Sequence, residues 1–137
     1  MKSKIFKGKT SEDYRGRIFH VNNCDLSPVK RIYIVENKDI SFERGWKGHK
    51  IENRWFFCSK GSVEIKVTEI ENFSTKKYKV KTFTLNENTL SILFVPKGFC
   101  TLIKQVKSGS RVVAMSDFFI GTSNDEDLRW SSNYFKE

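Results

Sequence analysis

The chain has 137 residues, and its 25 lysines and arginines outnumber 16 aspartates and glutamates, for a formal net charge of +9. This length predicts a single domain over residues 1–137 with a sizeable core. No apolar run reaches the roughly 20 residues that cross a bilayer, so we expect neither a secretory signal nor a membrane partner. The basic residues are dispersed, with no run longer than two, which disfavours a nucleic-acid partner and leaves general solubility or an anionic small molecule.

Short segments rich in β-branched and aromatic residues recur about every ten residues along the chain. They predict strands at 17–22, 29–35, 55–58, 62–70, 78–85, 90–95 and 111–119, separated by turn signals. The segment 62–70 alternates strictly between apolar and polar residues, as a half-buried strand does. No segment has a helical apolar period. This pattern predicts an all-β sandwich or barrel.

Three cysteines, Cys24, Cys58 and Cys100, are widely spaced and odd in number. They do not form a disulfide framework, so we expect free thiols in a reducing cytoplasm. Cys58 and Cys100 lie in apolar stretches and are expected in the core.

The segment 43–55, with the sequence ERGWKGHKIENRW, carries most of the chemistry in this chain. If it is extended, Lys47 and His49 share one face and Trp46 points the other way. A lysine and a histidine inside a barrel would form a cationic floor for a diphosphate or an enolate oxygen. The alternative is a solvated hairpin whose charges all face water.

The segment 44–67 resembles the core of bacterial dTDP-sugar 3,4-ketoisomerases, which carry R-G-x-H-A-H-K followed by E-Q, an apolar strand and a glycine turn. It is also similar to dTDP-4-dehydrorhamnose 3,5-epimerase, which has R-G-x-H-x-Q at this place. Similar motifs follow in the family order along the chain, at 13–16 (DYRG), 30–33 (KRIY), 95–99 (VPKGF), 116–119 (SDFF) and 127–129 (DLR).

The resemblance implies a small cupin-type (jelly-roll) β-barrel that forms a homodimer. It also implies a cofactor-independent isomerase or epimerase that acts on a nucleotide-linked 4-keto-6-deoxy sugar. In such a reaction a base removes a proton beside the carbonyl, and reprotonation elsewhere gives the product. His49 is the first candidate for the base, because an unperturbed histidine titrates near neutral pH. Lys47 is the second candidate, and Tyr33 is a candidate phenol.

Four further residues are candidates for substrate binding. Arg44 and Arg54 offer forked donors for diphosphate or enolate oxygens. Asn53 stands where the ketoisomerases have glutamine and is expected to bind a sugar hydroxyl. Trp46 is either a stacking platform for a base or sugar, or a core aromatic residue.

The chain departs from the family pattern at two places. Lys47 replaces the first family histidine, taken as the catalytic base, and Phe118 and Phe119 stand near the place of the epimerase tyrosine. Because phenylalanine has no proton to donate, two alternatives remain open: a catalytically inactive sugar or nucleotide-sugar binding module, and an interaction domain with a filled barrel.

A metal site is not expected from this sequence. The later histidine ligand of many cupins is replaced by Thr101, and His20 and His49 are the only histidines. A transition-metal site usually needs three or four protein ligands. His20 lies in an alternating segment and is expected to be a partly buried strand residue.

Overall fold

The computed structural model describes residues 2–120 and 127–136, and these form twelve strands and one short helix. The elements in chain order are β1 (Lys4–Phe6), β2 (Lys9–Asp13), β3 (Gly16–His20), β4 (Arg31–Val35), β5 (Glu43–His49), β6 (Arg54–Lys60), β7 (Ser62–Glu69), α1 (Glu71–Thr75), β8 (Lys81–Asn86), β9 (Ile92–Val95), β10 (Phe99–Gln105), β11 (Arg111–Ser116) and β12 (Asp127–Arg129).

Ten of the strands form two five-stranded antiparallel sheets. The first sheet has the order β1-β9-β6-β11-β4, and the second has the order β12-β5-β10-β7-β8. Among the described residues, strands β2 and β3 pair only with each other, as a largely exposed hairpin. In the two large sheets most neighbouring strands are not consecutive in the chain, as expected for a jelly roll rather than a simple meander. The all-β, cupin-type prediction is confirmed.

The main core lies between the two sheets, where apolar side chains of both inner faces meet. Val63, Ile65 and Val67 alternate inward along β7, as the period of two predicts, and pack against Phe56 and Leu93 of the first sheet. The thiols of Cys58 and Cys100 are also buried, which confirms the prediction for these two residues.

The structure adds elements that the sequence pattern did not predict. Strands β1, β2, β10 and β12 were missed, and β5 was only one of two alternatives for its segment. The predicted strand at 78–85 begins only at Lys81. Helix α1 has five residues, which is too short to show a helical period. The chain after Ile120 begins with the polar segment GTSNDED, of which residues 121–126 lie outside the described residues.

The buried thiols give a prediction that does not depend on function. Burial raises the pKa of Cys100 to about 12 from an ordinary value of 9.0. Because only thiolates react readily, we expect an aromatic disulfide reagent at pH 8 to modify Cys24, which is half-buried, well before Cys58 or Cys100. Three thiols reacting at one rate in the native protein would contradict this burial.

The same shift has a consequence for stability. An unfolded Cys100 ionises near pH 9 while the folded residue stays neutral to about pH 12. Burial of the neutral Cys100 thiol therefore makes its full contribution to the unfolding free energy below pH 9. This contribution is lost as the pH rises toward 12.

Candidate functional site

A cavity of about 360 Å³ opens between the two sheets, on the side where β4 and β5 lie. Its wall combines apolar core residues with charged ones. The lining residues are Tyr33, Val35, Phe42, Glu43, Arg44, Gly45, Trp46, Lys47, Arg54, Phe56, Thr101, Ile103, Arg129 and Trp130. Five of the seven predicted site residues therefore border one cavity: Tyr33, Arg44, Trp46, Lys47 and Arg54.

Strand β5 places alternate residues on opposite sides of the second sheet. Lys47 borders the cavity, and its cross-strand partner Thr101 does so too. Trp46 also borders the cavity, but its ring packs edge-on against Phe73 and Phe135 in a separate aromatic cluster. These ring contacts are those of a core aromatic residue rather than of a stacking platform for a ligand.

His49 follows Lys47 by two residues and lies opposite Phe99, which packs against the main core. Its side chain is buried and does not line the cavity. Its Nε2 atom lies 3.6 Å from Oε2 of Glu52, a carboxylate that is also buried. This contact limits rotation of the imidazole ring.

Glu52 links His49 to the cavity wall through Arg31. The Arg31 Nη2 atom lies 3.7 Å from Oε2 of Glu52, and its guanidinium carbon lies 4.8 Å from the ring centroid of Tyr33. Tyr33 in turn borders the cavity. Sequence reasoning did not single out Glu52, because its pairing with Arg31 joins positions 21 residues apart that only the fold brings together.

Arg54 is a fixed, buried cation in the cavity wall. Its Nη1 donates to the hydroxyl of Thr101 at 3.1 Å, and its Nη2 donates to the carbonyls of Lys47 and Phe99 at 3.5 and 3.4 Å. The guanidinium carbon lies 5.4 Å from the ring centroid of Phe56. These contacts join β6 to β5 and β10, and they hold the guanidinium charge beside the cavity.

Arg44 is oriented by an amide from the loop between β4 and β5. Its Nε donates to Oδ1 of Asn37 at 3.1 Å, and the Asn37 amide donates to the carbonyl of Ile103 at 3.0 Å. Asn37 is buried, so its hydrogen bond with Nε holds the Arg44 guanidinium in place beside the cavity.

Asn53 lies outside the cavity, although the sequence predicted a sugar contact. Its backbone and side-chain amides donate to the carboxylate of Asp117 at 2.9 and 2.8 Å, and its Oδ1 accepts from the backbone of Lys97 at 2.8 Å. Asn53 therefore joins three loops. Phe118 and Phe119 also lie outside the cavity lining.

The C-terminal strand contributes two wall residues that the sequence did not single out. In the pairing of β12 with β5, Arg129 lies opposite Lys47. Trp46 and Trp130 exchange two backbone hydrogen bonds, of 2.9 and 3.0 Å, just beyond this pair. The sequence signalled this part of the wall only through the motif at 127–129, for which no chemical role was predicted.

The charges around the cavity favour an anion. Arg44, Lys47, Arg54 and Arg129 border it together with one carboxylate, Glu43. Low-dielectric walls strengthen such a field at the cavity surface. A cationic ligand would be repelled by this arrangement.

Within residues 2–120 and 127–136, no three His, Cys, Asp or Glu side chains are grouped as metal ligands would be. His20 lies apart on the β2–β3 hairpin and is half-buried, with its ring nitrogens 3.1 Å from Ser11 and Asn22. No helix in the described part of the chain is long and apolar enough to cross a membrane.

Comparison with solved structures identifies the fold. A 3,4-ketoisomerase from Helicobacter canadensis is 23% identical, with a TM-score of 0.74 over 98% of this chain and 96% of that one. A mutant of the QdtA 3,4-ketoisomerase from Thermoanaerobacterium thermosaccharolyticum, in complex with TDP-4-keto-6-deoxyglucose, is 18% identical (TM-score 0.74; 98% and 91% covered). The dTDP-4-dehydrorhamnose 3,5-epimerase of Bacillus anthracis, with TDP and pyrophosphate bound, is 16% identical (TM-score 0.76; 96% and 79% covered).

A search of curated proteins finds no significant sequence match. A family model does match, over residues 1–133, which is nearly the whole chain. The resemblance recognised in the ordered motifs is therefore confirmed at the level of the family. The chain belongs to the family described as WxcM-like, C-terminal (FdtA).

Proposed function

We propose that this protein is an isomerase or epimerase of a dTDP-linked 4-keto-6-deoxy sugar. The observation that carries the proposal is the cationic cavity, where Tyr33 and Lys47 border the same space as three arginines. Its volume lies within the range of about 300–1,000 Å³ that is usual for small-molecule pockets. Structural relatives that hold TDP or a TDP-sugar support the same ligand class.

The proposed reaction needs one base and one acid, and no cofactor. A base removes the proton from the carbon beside the carbonyl, and the electron pair forms an enolate. For the isomer, a proton returns to the former carbonyl carbon, and the hydroxyl hydrogen of the deprotonated carbon passes to the former carbonyl oxygen. For the epimer, a proton returns to the opposite face of the carbon that lost it. The positive groups of the cavity would stabilise the enolate oxygen and the diphosphate.

We assign the base to His49, because Glu52 orients its imidazole and stabilises the imidazolium formed when the proton is taken up. Lys47 borders the cavity and is assigned to the enolate oxygen, and Tyr33 is assigned to proton return. Because His49 lies behind the cavity lining, substrate binding must expose the imidazole by a small movement within the cavity wall. Arg44 and Arg54 are assigned to the diphosphate.

Nucleotide binding tests the ligand class without assuming turnover. We expect dTDP to raise the melting temperature, since a ligand at one hundred times its Kd adds about 2.7 kcal/mol to the unfolding free energy. Arg44→Ala should reduce this shift because it removes a cation from the cavity, while Lys107→Ala, at an exposed turn, should not. An unchanged melting temperature with saturating dTDP would overturn the ligand assignment.

We also propose that the protein is a homodimer. Strand β4 is an edge of the first sheet, and its outward-facing Ile32 and Ile34 are 64% and 58% exposed. An exposed apolar edge strand usually requires a cover. We expect light scattering to show a dimer that Ile32→Lys with Ile34→Lys dissociates and that Val106→Lys, at an exposed turn, leaves intact. A wild-type monomer at micromolar concentration would exclude the dimer.

The proposed compartment is the cytoplasm. Cys24, Cys58 and Cys100 are all free thiols, which suits a reducing environment. Localisation of a tagged protein in the source cell would test this, and an extracellular signal would contradict it.

A binding module without turnover is the second candidate function. It is favoured by the replacement of the first family histidine by Lys47 and by the position of His49 behind the cavity lining. Both candidates predict nucleotide binding. They differ in whether a proton of the bound sugar is exchanged.

A further inference from the structure

A second cavity, of about 400 Å³, lies at the end of β7, apart from the candidate site. It is bordered by the end of β7, helix α1, the segment between α1 and β8, and the residues before β1. The lining residues are Lys2, Ser3, Val67, Thr68, Glu69, Asn72, Lys77, Lys79, Val80, Lys81 and Phe99. It shares no lining residue with the first cavity. We call it the lysine cavity.

The rim of the lysine cavity is strongly positive. Lys2, Lys77, Lys79 and Lys81 border it, against a single carboxylate from Glu69. In the described part of the chain none of these four lysines forms an ion pair. Bringing four ammonium groups around one concave space costs repulsion energy, and an anionic occupant would relieve that repulsion.

The floor of the cavity carries fixed polar groups. The Asn72 amide donates to the hydroxyl of Thr68 at 2.9 Å, and that hydroxyl donates to the carbonyl of Lys79 at 2.8 Å. These bonds hold the backbone of Lys79 against the end of β7. The geometry of this side of the cavity is therefore set before any ligand binds.

Ser3 adds a polar side chain to the same cavity. The residue is 8% exposed and borders the cavity next to Lys2.

The remaining wall is apolar and is formed by Val67, Val80 and Phe99. An inorganic anion would leave this surface uncovered, whereas the body of an organic ligand would pack against it. We propose that the lysine cavity is a second binding site, which takes a small organic phosphate such as a sugar phosphate. The lysines hold the phosphate, and the body of the ligand lies on the apolar wall.

The test is a titration with glucose 1-phosphate, followed by the backbone amide resonances of the protein. We expect saturable binding, with the largest shifts at residues 67–81, and at least tenfold weaker binding in Lys79→Glu with Lys81→Glu. The matched control is Lys60→Glu with Lys107→Glu, which removes the same charge away from both cavities and should change Kd less than twofold. Equal weakening in the control, or no saturable binding, would overturn the proposal.

Two further measurements distinguish an organic from an inorganic phosphate, and the lysine cavity from the first cavity. Inorganic phosphate should bind at least fivefold more weakly than glucose 1-phosphate, and equal affinity would contradict the role of the apolar wall. The thermal shift caused by dTDP should persist in Lys79→Glu with Lys81→Glu, because the first cavity is untouched. Loss of the dTDP shift in that variant would contradict two independent sites.

Discussion

Replacing Phe73 with alanine is expected to lower the unfolding free energy by about 3–5 kcal/mol, the usual cost of truncating a buried phenylalanine. Phe73 is the centre of the aromatic cluster on the outer face of the second sheet. Its ring stacks on Trp130 with centroids 4.1 Å apart and contacts Trp46 edge-on at 5.7 Å. Chemical denaturation of the purified variant measures the change.

The loss at Phe73 should also loosen the C-terminal segment. The backbone carbonyl of Phe73 accepts a hydrogen bond from the hydroxyl of Tyr134, and its ring contacts Phe135. Because Arg129 belongs to the same segment, we expect trypsin to cleave after it faster in Phe73→Ala. Tyr78→Ala is the control, since Tyr78 is largely exposed and touches only the edge of this cluster. A change in stability no larger than that of the control would contradict the packing described here.

The replacement His49→Asn is expected to lower kcat by about 10²–10⁴, the usual contribution of a general base. Asparagine keeps approximately the size and polarity of histidine but cannot accept a proton. Steady-state assay with a dTDP-4-keto-6-deoxy sugar measures the effect. His20→Asn, in the exposed hairpin, serves as the matched control and should keep full activity.

Two accompanying variants make the assignment of His49 specific. Glu52→Gln should reduce kcat less than His49→Asn, because Glu52 acts only by holding the imidazole. Lys47→Met should abolish stabilisation of the enolate and leave the base in place. If His49→Asn kept full activity while Lys47→Met lost it, the base would be Lys47.

Strands with an alternating pattern were the most predictable part of this fold. Along β7 the apolar residues alone determine which face is buried, so the sequence was sufficient. Strand β10 was missed because Thr101 and Lys104 interrupt its apolar pattern, and Thr101 is buried only because Arg54 supplies a partner. A local pattern cannot anticipate a partner that is 47 residues away.

The candidate site was predictable to the extent that one short segment of the chain carries it. Arg44, Lys47 and Arg54 lie close together along the chain and reach the same cavity. Asn53 is adjacent to them in sequence, yet its contacts with Asp117 and Lys97 draw it into the loops. Arg129 reaches the site from the far end of the chain, which only the pairing of β12 with β5 brings about.

Exchange of a substrate proton with solvent is the most direct test of the central claim. The wild-type protein would be incubated with dTDP-4-keto-6-deoxyglucose in deuterium oxide, and the recovered sugar examined by proton NMR and mass spectrometry. We predict deuterium on the carbon beside the carbonyl together with an isomer or epimer, and neither in His49→Asn. Sugar that is bound but returned without deuterium would contradict catalysis and leave a binding module.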